Sequence, residues 1–214
     1  MFHPVGHPME RGWVGRVAGD RVVHLAAQTL QSFFTGGGSA REHAEYPLGE
    51  VVLLAPVLHP PSVRMFDEDG SFTFANPAAI KHPGTRVAVP AVPLSVLPRV
   101  AAVVGGEGAI AGFTGLAEWR ARDLEPPKDR DFALALGPVV VAAEAFDGDA
   151  RGFDWAAATE FASACTVLYP GDILAGPPLE ERGGIAAGAS VALEIDGIGT
   201  LEQTAGYAPG DAGV

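Results

Sequence analysis

Residues 97–105 (LPRVAAVVG) and 110–124 (IAGFTGLAEWRARDL) decide the fold class. Val100–Val104 is an unbroken apolar run of strand length, and Ile110–Thr114 is a second strand-like run just beyond it. Leu116–Leu124 reads as a helix or turn, ended by Pro126-Pro127. The same grain extends outward in both directions. Short apolar segments lie at Val51–Leu54, Ser71–Ala75, Arg86–Val89, Leu136–Ala143 and Ile173–Leu174, broken by Gly and Pro. Two hairpins stand out. One is Trp13–Leu25, with Gly19 in the turn; the other is Val191–Leu201, turning at Asp196-Gly197. Ala26–Phe34 reads as a short helix or turn and Thr35–Ala44 as a flexible loop. Asp154–Thr166 is the one good helix, with Phe153, Ala157, Phe161 and Ala164 at helical spacing. The class is therefore mainly β with few helices, α+β.

Composition narrows what such a fold can do. The chain has 214 residues, enough to bury a sizeable core. Gly 28 and Pro 18 make it rich in turns. Together they stay below the roughly 25–30% that marks disorder. Asp+Glu 26 against Lys+Arg 14 gives a formal charge of −12. A chain so acidic is a poor partner for nucleic acid or an anionic membrane surface. Cys165 stands alone, which rules out an internal disulfide and a cysteine zinc site. Residues 1–16 lack the apolar core of a secretory signal, and no apolar run reaches the roughly 20 residues of a membrane span. A cytoplasmic protein is the expectation. Domain boundaries are expected at 1–60 (a small β-rich N-terminal part), 61–204 (the main β-roll) and 205–214 (a loose tail).

Several stretches carry a resemblance, in order along the chain. They are Gly19-Asp20-Arg21-Val22-Val23; Leu53-Leu54-Ala55-Pro56-Val57 with Pro60-Pro61-Ser62; and Phe74-Ala75-Asn76-Pro77-Ala78-Ala79-Ile80 with Pro83-Gly84-Thr85. Ile110–Thr114 through Ala121-Arg122-Asp123-Leu124 follows. Lys128, Asp131 and Gly137-Pro138 come next, then Pro170-Gly171-Asp172-Ile173-Leu174 and Leu193–Gly199. From residue 13 to about 202 the chain resembles the fumarylacetoacetate hydrolase family.

That resemblance implies a mixed β-sandwich roll, commonly a homodimer, with carboxylate-held Mg²⁺, Mn²⁺ or Ca²⁺. It also implies cleavage, decarboxylation, hydration or isomerisation of acylpyruvates and related β-dicarbonyl acids. Chelating diketo acids call for a hard Lewis acid to hold the enolate. The ligand positions can be tested one at a time. The family's Glu-x-Glu pair falls on Leu97 and Arg99, and an Asp used by some members falls on Met65. Glu118 is the only carboxylate at a family ligand position. No His lies between His59 and His82, where related enzymes carry a catalytic histidine on a lid, and the lid segment itself is absent. A family Thr is replaced by Pro177. Lys128 is retained at a position near metal and substrate.

The candidate site residues are thus Lys128, Glu118 and Arg99, with no metal or other cofactor expected, or Mg²⁺ or Mn²⁺ if the family site is partly kept. Each has a plainer reading. Glu118 suits a solvated helix, Arg99 a strand surface and Lys128 a structural role. If Arg99 and Glu118 both point into the roll, they make an ion pair where the metal would sit. Asp131 and the runs Asp67-Glu68-Asp69 and Glu180-Glu181-Arg182 read as turns and loops. His3 and His7 read as part of a loose N-terminus. Cys165 reads as core on the apolar helix face. Three functions remain open. The first is a divergent member that keeps fold and pocket and acts by dimerisation or by binding a small β-dicarbonyl or keto-acid ligand. The second is a metal-independent isomerase, lyase or cyclase on such substrates. The third is a Mg²⁺-dependent hydrolase or decarboxylase with an unusual ligand set.

Overall fold

The computed structural model describes residues 1–89 and 92–206. Near the N-terminus, β1 (Phe2–Pro4) pairs with β5 (Val51–Leu53). Gly19, at φ 61°, turns β2 (Gly15–Ala18) into β3 (Arg21–Leu25), which also pairs with β4 (Glu42–Pro47). Helix α1 (Leu30–Thr35) is capped by Thr29 in a reciprocal capping box with Ser32. Two expectations fail here. His3 lies in β1 rather than in a loose terminus, because Phe2 is buried and paired on both sides. The stretch read as a loop to Ala44 joins β4 at Glu42, against the apolar β3.

The rest is built on β6 (Val63–Phe66), β7 (Phe72–Ala75), β8 (Ile80–Lys81), β9 (Arg86–Val87), β10 (Leu94–Val104) and β11 (Ile110–Arg120). β12 (Leu134–Ala142), α2 (Trp155–Ser163), β13 (Ile173–Ala175), β14 (Arg182–Ile185), β15 (Ser190–Ile195) and β16 (Gly199–Ala205) follow. One eight-stranded mixed sheet runs β7-β6-β13-β10-β11-β12-β8, with β14 on the free length of β10. A three-stranded sheet, β15-β16-β9, packs on it.

β10 and β11 are each eleven residues long and antiparallel, and every residue of β10 is buried. Both faces of β10 are covered, which explains its continuous apolar lettering. Ala101 and Val103 face a core with Val63, Met65, Leu116 and Ile173, whereas Val100 and Ala102 face another core with Phe113 and Ala158. Pro98 sits between the stretches where β13 and β14 pair with β10, so its missing N–H costs no ladder bond. Leu116–Arg120 continues the strand instead of forming a helix. Leu116 and Glu118 point one way and Ala117 and Trp119 the other, each into protein. Gly112 lies so close to the Val141 backbone that a Cβ there would overlap its carbonyl, so glycine permits this crossing of β12.

Helix α2 starts at its Asp154 cap, but its buried stripe is Ala158 and Ala162. Phe161 is 55% exposed and leans on Phe72. Cys165 lies beyond the helix, exposed, at φ 59°, not in the core. Ala205, expected in a loose tail over 205–214, ends β16 and pairs with Val87, and 207–214 fall outside the described residues. Among the described residues no helix is long and apolar enough to cross a membrane.

Candidate functional site: a buried guanidinium–carboxylate cluster

The β10–β11 register sets Leu97 opposite Glu118 and Arg99 opposite Leu116. Arg99 and Glu118 are therefore diagonal neighbours on one face, within reach for two long side chains. Arg99 Nε donates to Glu118 Oε2 at 2.9 Å, and Nη2 stands 2.8 Å from the same oxygen. Arg120, two residues on and so on the same face of β11, donates from Nε to Oε1 at 2.5 Å. Both carboxylate oxygens of Glu118 are thus held by guanidinium groups. The Arg99 and Glu118 side chains are 1% and 2% exposed.

Arg99 also finishes the backbone around it. Its Nη1 donates to the carbonyls of Phe66 and Gly176, each at 2.8 Å. Phe66 ends β6, and Gly176 follows directly after β13. β6 and β13 run parallel and stop together, so the guanidinium supplies the donor that these buried carbonyls need. One side chain thereby ties four segments of the roll. Burial lowers the Arg99 pKa from its ordinary value, Glu118 pushes it back up, and Arg120 lowers it again. An arginine stays protonated in such a setting.

The charge pattern continues towards solvent. Arg122 grips Glu181 through two bonds, Nε to Oε1 at 2.7 Å and Nη2 to Oε2 at 2.5 Å. This contact raises the Arg122 pKa and lowers that of Glu181. Across the roll, Asp172 of the Pro-Gly-Asp turn accepts from Ser62 Oγ at 2.6 Å and from the Tyr169 N–H at 2.7 Å. Ser62 in turn receives Arg64 Nη1 at 2.5 Å.

Of the three residues singled out from sequence, the structure brings Arg99 and Glu118 together and leaves Lys128 apart. Lys128 lies between β11 and β12 with its side chain 75% exposed, and its Nζ holds Asp131 Oδ2 at 2.8 Å. Asp131 also steadies the segment after β7, where Asn76 Nδ2 donates to its carbonyl at 3.1 Å. Arg120 escaped the sequence reading. The available signal was its spacing of two from Glu118, which puts both on one face of a strand but on different sides of a helix.

The cluster is a poor match for a divalent cation. Ca²⁺ and Mg²⁺ take about six or more oxygen ligands, mostly from carboxylates, carbonyls and water. Leu97 and Met65, at two of the implied ligand positions, are buried apolar side chains. The single carboxylate, Glu118, has both oxygens engaged by cations. Among the described residues no group of three or more His, Cys, Asp or Glu is placed to hold a metal.

No family model and no curated protein matches the sequence. Solved structures do match. The maleylpyruvate hydrolase of Sphingobium sp. SYK-6 superposes with a TM-score of 0.80 at 20% identity, over 93% of this chain and 98% of that one. A second structure of that enzyme contains manganese(II) and pyruvate, with a TM-score of 0.79 at 20% identity over 92% and 98% of the two chains. The 5-carboxymethyl-2-hydroxymuconate delta-isomerase of Mycobacterium smegmatis gives 0.73 at 22% identity over 91% and 94%. A 2-keto-3-deoxy-D-arabinonate dehydratase with magnesium and 2,5-dioxopentanoate gives 0.77 at 16% identity over 96% and 97%. The chain therefore has the fumarylacetoacetate hydrolase-type fold along nearly its whole length.

Proposed function

We propose that this chain is a divergent member of the fumarylacetoacetate hydrolase family in which a buried arginine–carboxylate cluster replaces the metal centre. On this reading it acts by binding a small ligand, as a homodimer in the cytoplasm, and not as a metal-dependent hydrolase. One observation carries the reading: Arg99 and Arg120 each hold one oxygen of Glu118, with Arg99 1% exposed. A fixed guanidinium supplies positive charge inside the roll, as a resident cation would, and donates N–H groups to the Phe66 and Gly176 carbonyls. Unlike a cation with open coordination positions, it offers a substrate no exchangeable site. The related structures with manganese and pyruvate, or magnesium and 2,5-dioxopentanoate, indicate the ligand chemistry that this fold supports elsewhere. Phe74, 67% exposed on the edge strand β7, is consistent with a second copy covering that edge.

A metal-independent lyase, isomerase or cyclase would use Lys128 or Arg99 to stabilise an enolate and Glu118 to move a proton. Lys128 holds Asp131 at the surface, and Arg99 and Glu118 are buried and engaged with each other, which favours the binding reading. The test is turnover of acetopyruvate and oxaloacetate with Mn²⁺, Mg²⁺ or EDTA, alongside Mn²⁺ binding by calorimetry. The expected result is no metal-stimulated turnover and no micromolar Mn²⁺ binding. Metal-stimulated turnover would overturn the reading, and so would EDTA-resistant turnover abolished by Lys128→Ala.

A further inference from the structure

A cavity of about 700 Å³ lies on the α2 side of the sheet and is bordered by Phe66, whose side chain is fully buried and whose carbonyl Arg99 holds. Phe161 and the half-buried Phe153 line the cavity. The Phe66 and Phe153 rings are 5.5 Å apart, and Phe66 connects through Phe72 to Phe161 at 5.2 and 5.5 Å.

The rim sets the sign. Glu68 and Asp69 come from the turn between β6 and β7, and Asp154 from the start of α2. Asp69 Oδ1 accepts from the Ser71 N–H at 2.9 Å and Ser71 Oγ at 2.7 Å, which keeps it a carboxylate. Asp154 Oδ1 accepts from the Ala157 N–H at 3.0 Å and so offsets the positive end of the helix. Among the described residues Glu68 has no ion-pair partner within 4 Å. Among the described residues Arg151 is the one cation in the lining, against three carboxylates; its Nη1 donates to the Leu179 carbonyl at 2.9 Å and the Pro178 carbonyl at 3.3 Å. Three carboxylates with spare oxygens thus border the same cavity as Phe153 and Phe161.

We propose that this cavity binds an organic cation with an apolar body of aromatic size, such as an arylalkyl amine or a quaternary ammonium. The hydrocarbon part would rest on Phe153 and Phe161. The cationic head would lie between the ring faces and Glu68, Asp69 and Asp154, combining cation–π attraction with opposite charge. Pro177, at the position of a family Thr, also lines this cavity, and the ligand is opposite in charge to a keto acid, so the sign of the ligand that binds separates this proposal from the proposed function.

The probe is benzyltrimethylammonium, titrated by calorimetry and by amide chemical shifts, with phenylacetate and benzyl alcohol as anionic and neutral comparators. Benzyltrimethylammonium is expected to saturate, with shifts centred on residues 66–70 and 151–161. Both comparators are expected to bind at least about tenfold more weakly. The exposed pair of changes Glu68→Gln and Asp69→Asn should weaken binding about tenfold with an unchanged far-UV spectrum. Phe161→Ala, at a half-exposed ring, should weaken it similarly. Lack of saturation by about 10 mM, equal binding of phenylacetate, or unchanged affinity in the two variants would each overturn the proposal.

Discussion

Replacing Arg99 by methionine isolates what the buried guanidinium contributes. The variant keeps the volume and apolar stem but removes two N–H contacts to Glu118, at 2.9 and 2.8 Å, and two to the carbonyls of Phe66 and Gly176, both at 2.8 Å. Breaking one partner of a buried pair typically costs about 3–5 kcal/mol, because a charge is left without its counterion. The two carbonyls lose a donor at about 1–3 kcal/mol each, but these costs overlap with the first. Arg120 remains on Oε1 and moderates the loss. A net destabilisation of about 4 kcal/mol is expected. With a urea m-value of about 3 kcal/mol/M, the unfolding midpoint should fall by about 1.3 M. The companion Arg99→Met, Glu118→Leu removes both charges and leaves Arg120 free to turn to solvent. It should recover at least half of the loss, since buried pairs replaced by apolar residues are often near neutral. The assay is equilibrium urea unfolding of wild type, both single variants and the double variant, read as a double-mutant cycle. A single-variant midpoint within about 0.3 M of wild type would refute the reasoning, as would a double variant no better than the single.

Three further outcomes are expected. Leu97→Glu with Arg99→Glu would set two carboxylates beside Glu118. Mn²⁺ should then raise the urea midpoint of this variant but not that of wild type, and an indifferent midpoint would count against the cluster standing in for a metal. His82 Nδ1 accepts the Ala55 N–H at 3.0 Å, which requires a neutral ring. Burial, with the charges of His3 and Lys81, lowers its pKa. Because the native state resists this proton more than the unfolded chain does, stability should be full above about pH 6.5 and should fall as the pH drops towards the lower native value. His82→Asn, which keeps an acceptor, should flatten that fall in unfolding midpoints compared at pH 7.5 and pH 5.5. Lys128→Ala should change stability by no more than about 0.5 kcal/mol, since its bridge to Asp131 is exposed and screened. A larger loss in thermal unfolding would place Lys128 in a more important role than its surroundings indicate.

The run of short apolar segments broken by Gly and Pro was enough to determine a mainly β chain. Strand length, turn chemistry and face alternation are local properties and give that class; the roll is what the resemblance carried by the ordered motifs implies. The resemblance points to Leu97, Arg99 and Glu118 as family ligand positions, and the structure pairs Arg99 with Glu118. Three things were not legible. Leu116–Arg120 reads as helical by its mixture of Leu, Ala, Glu and Arg, yet it is strand because both of its faces meet other layers, and tertiary burial overrides local propensity. Reading it as a helix hid Arg120 from the cluster. Lys128 sat at a position that the resemblance made important, and only the fold showed that the loop between β11 and β12 turns it to solvent. The destination of the Arg99 guanidinium depended on where β6 and β13 stop. Two carbonyls distant in sequence meet one side chain there, and such a meeting follows from the register of paired strands, which no stretch of the sequence carries by itself.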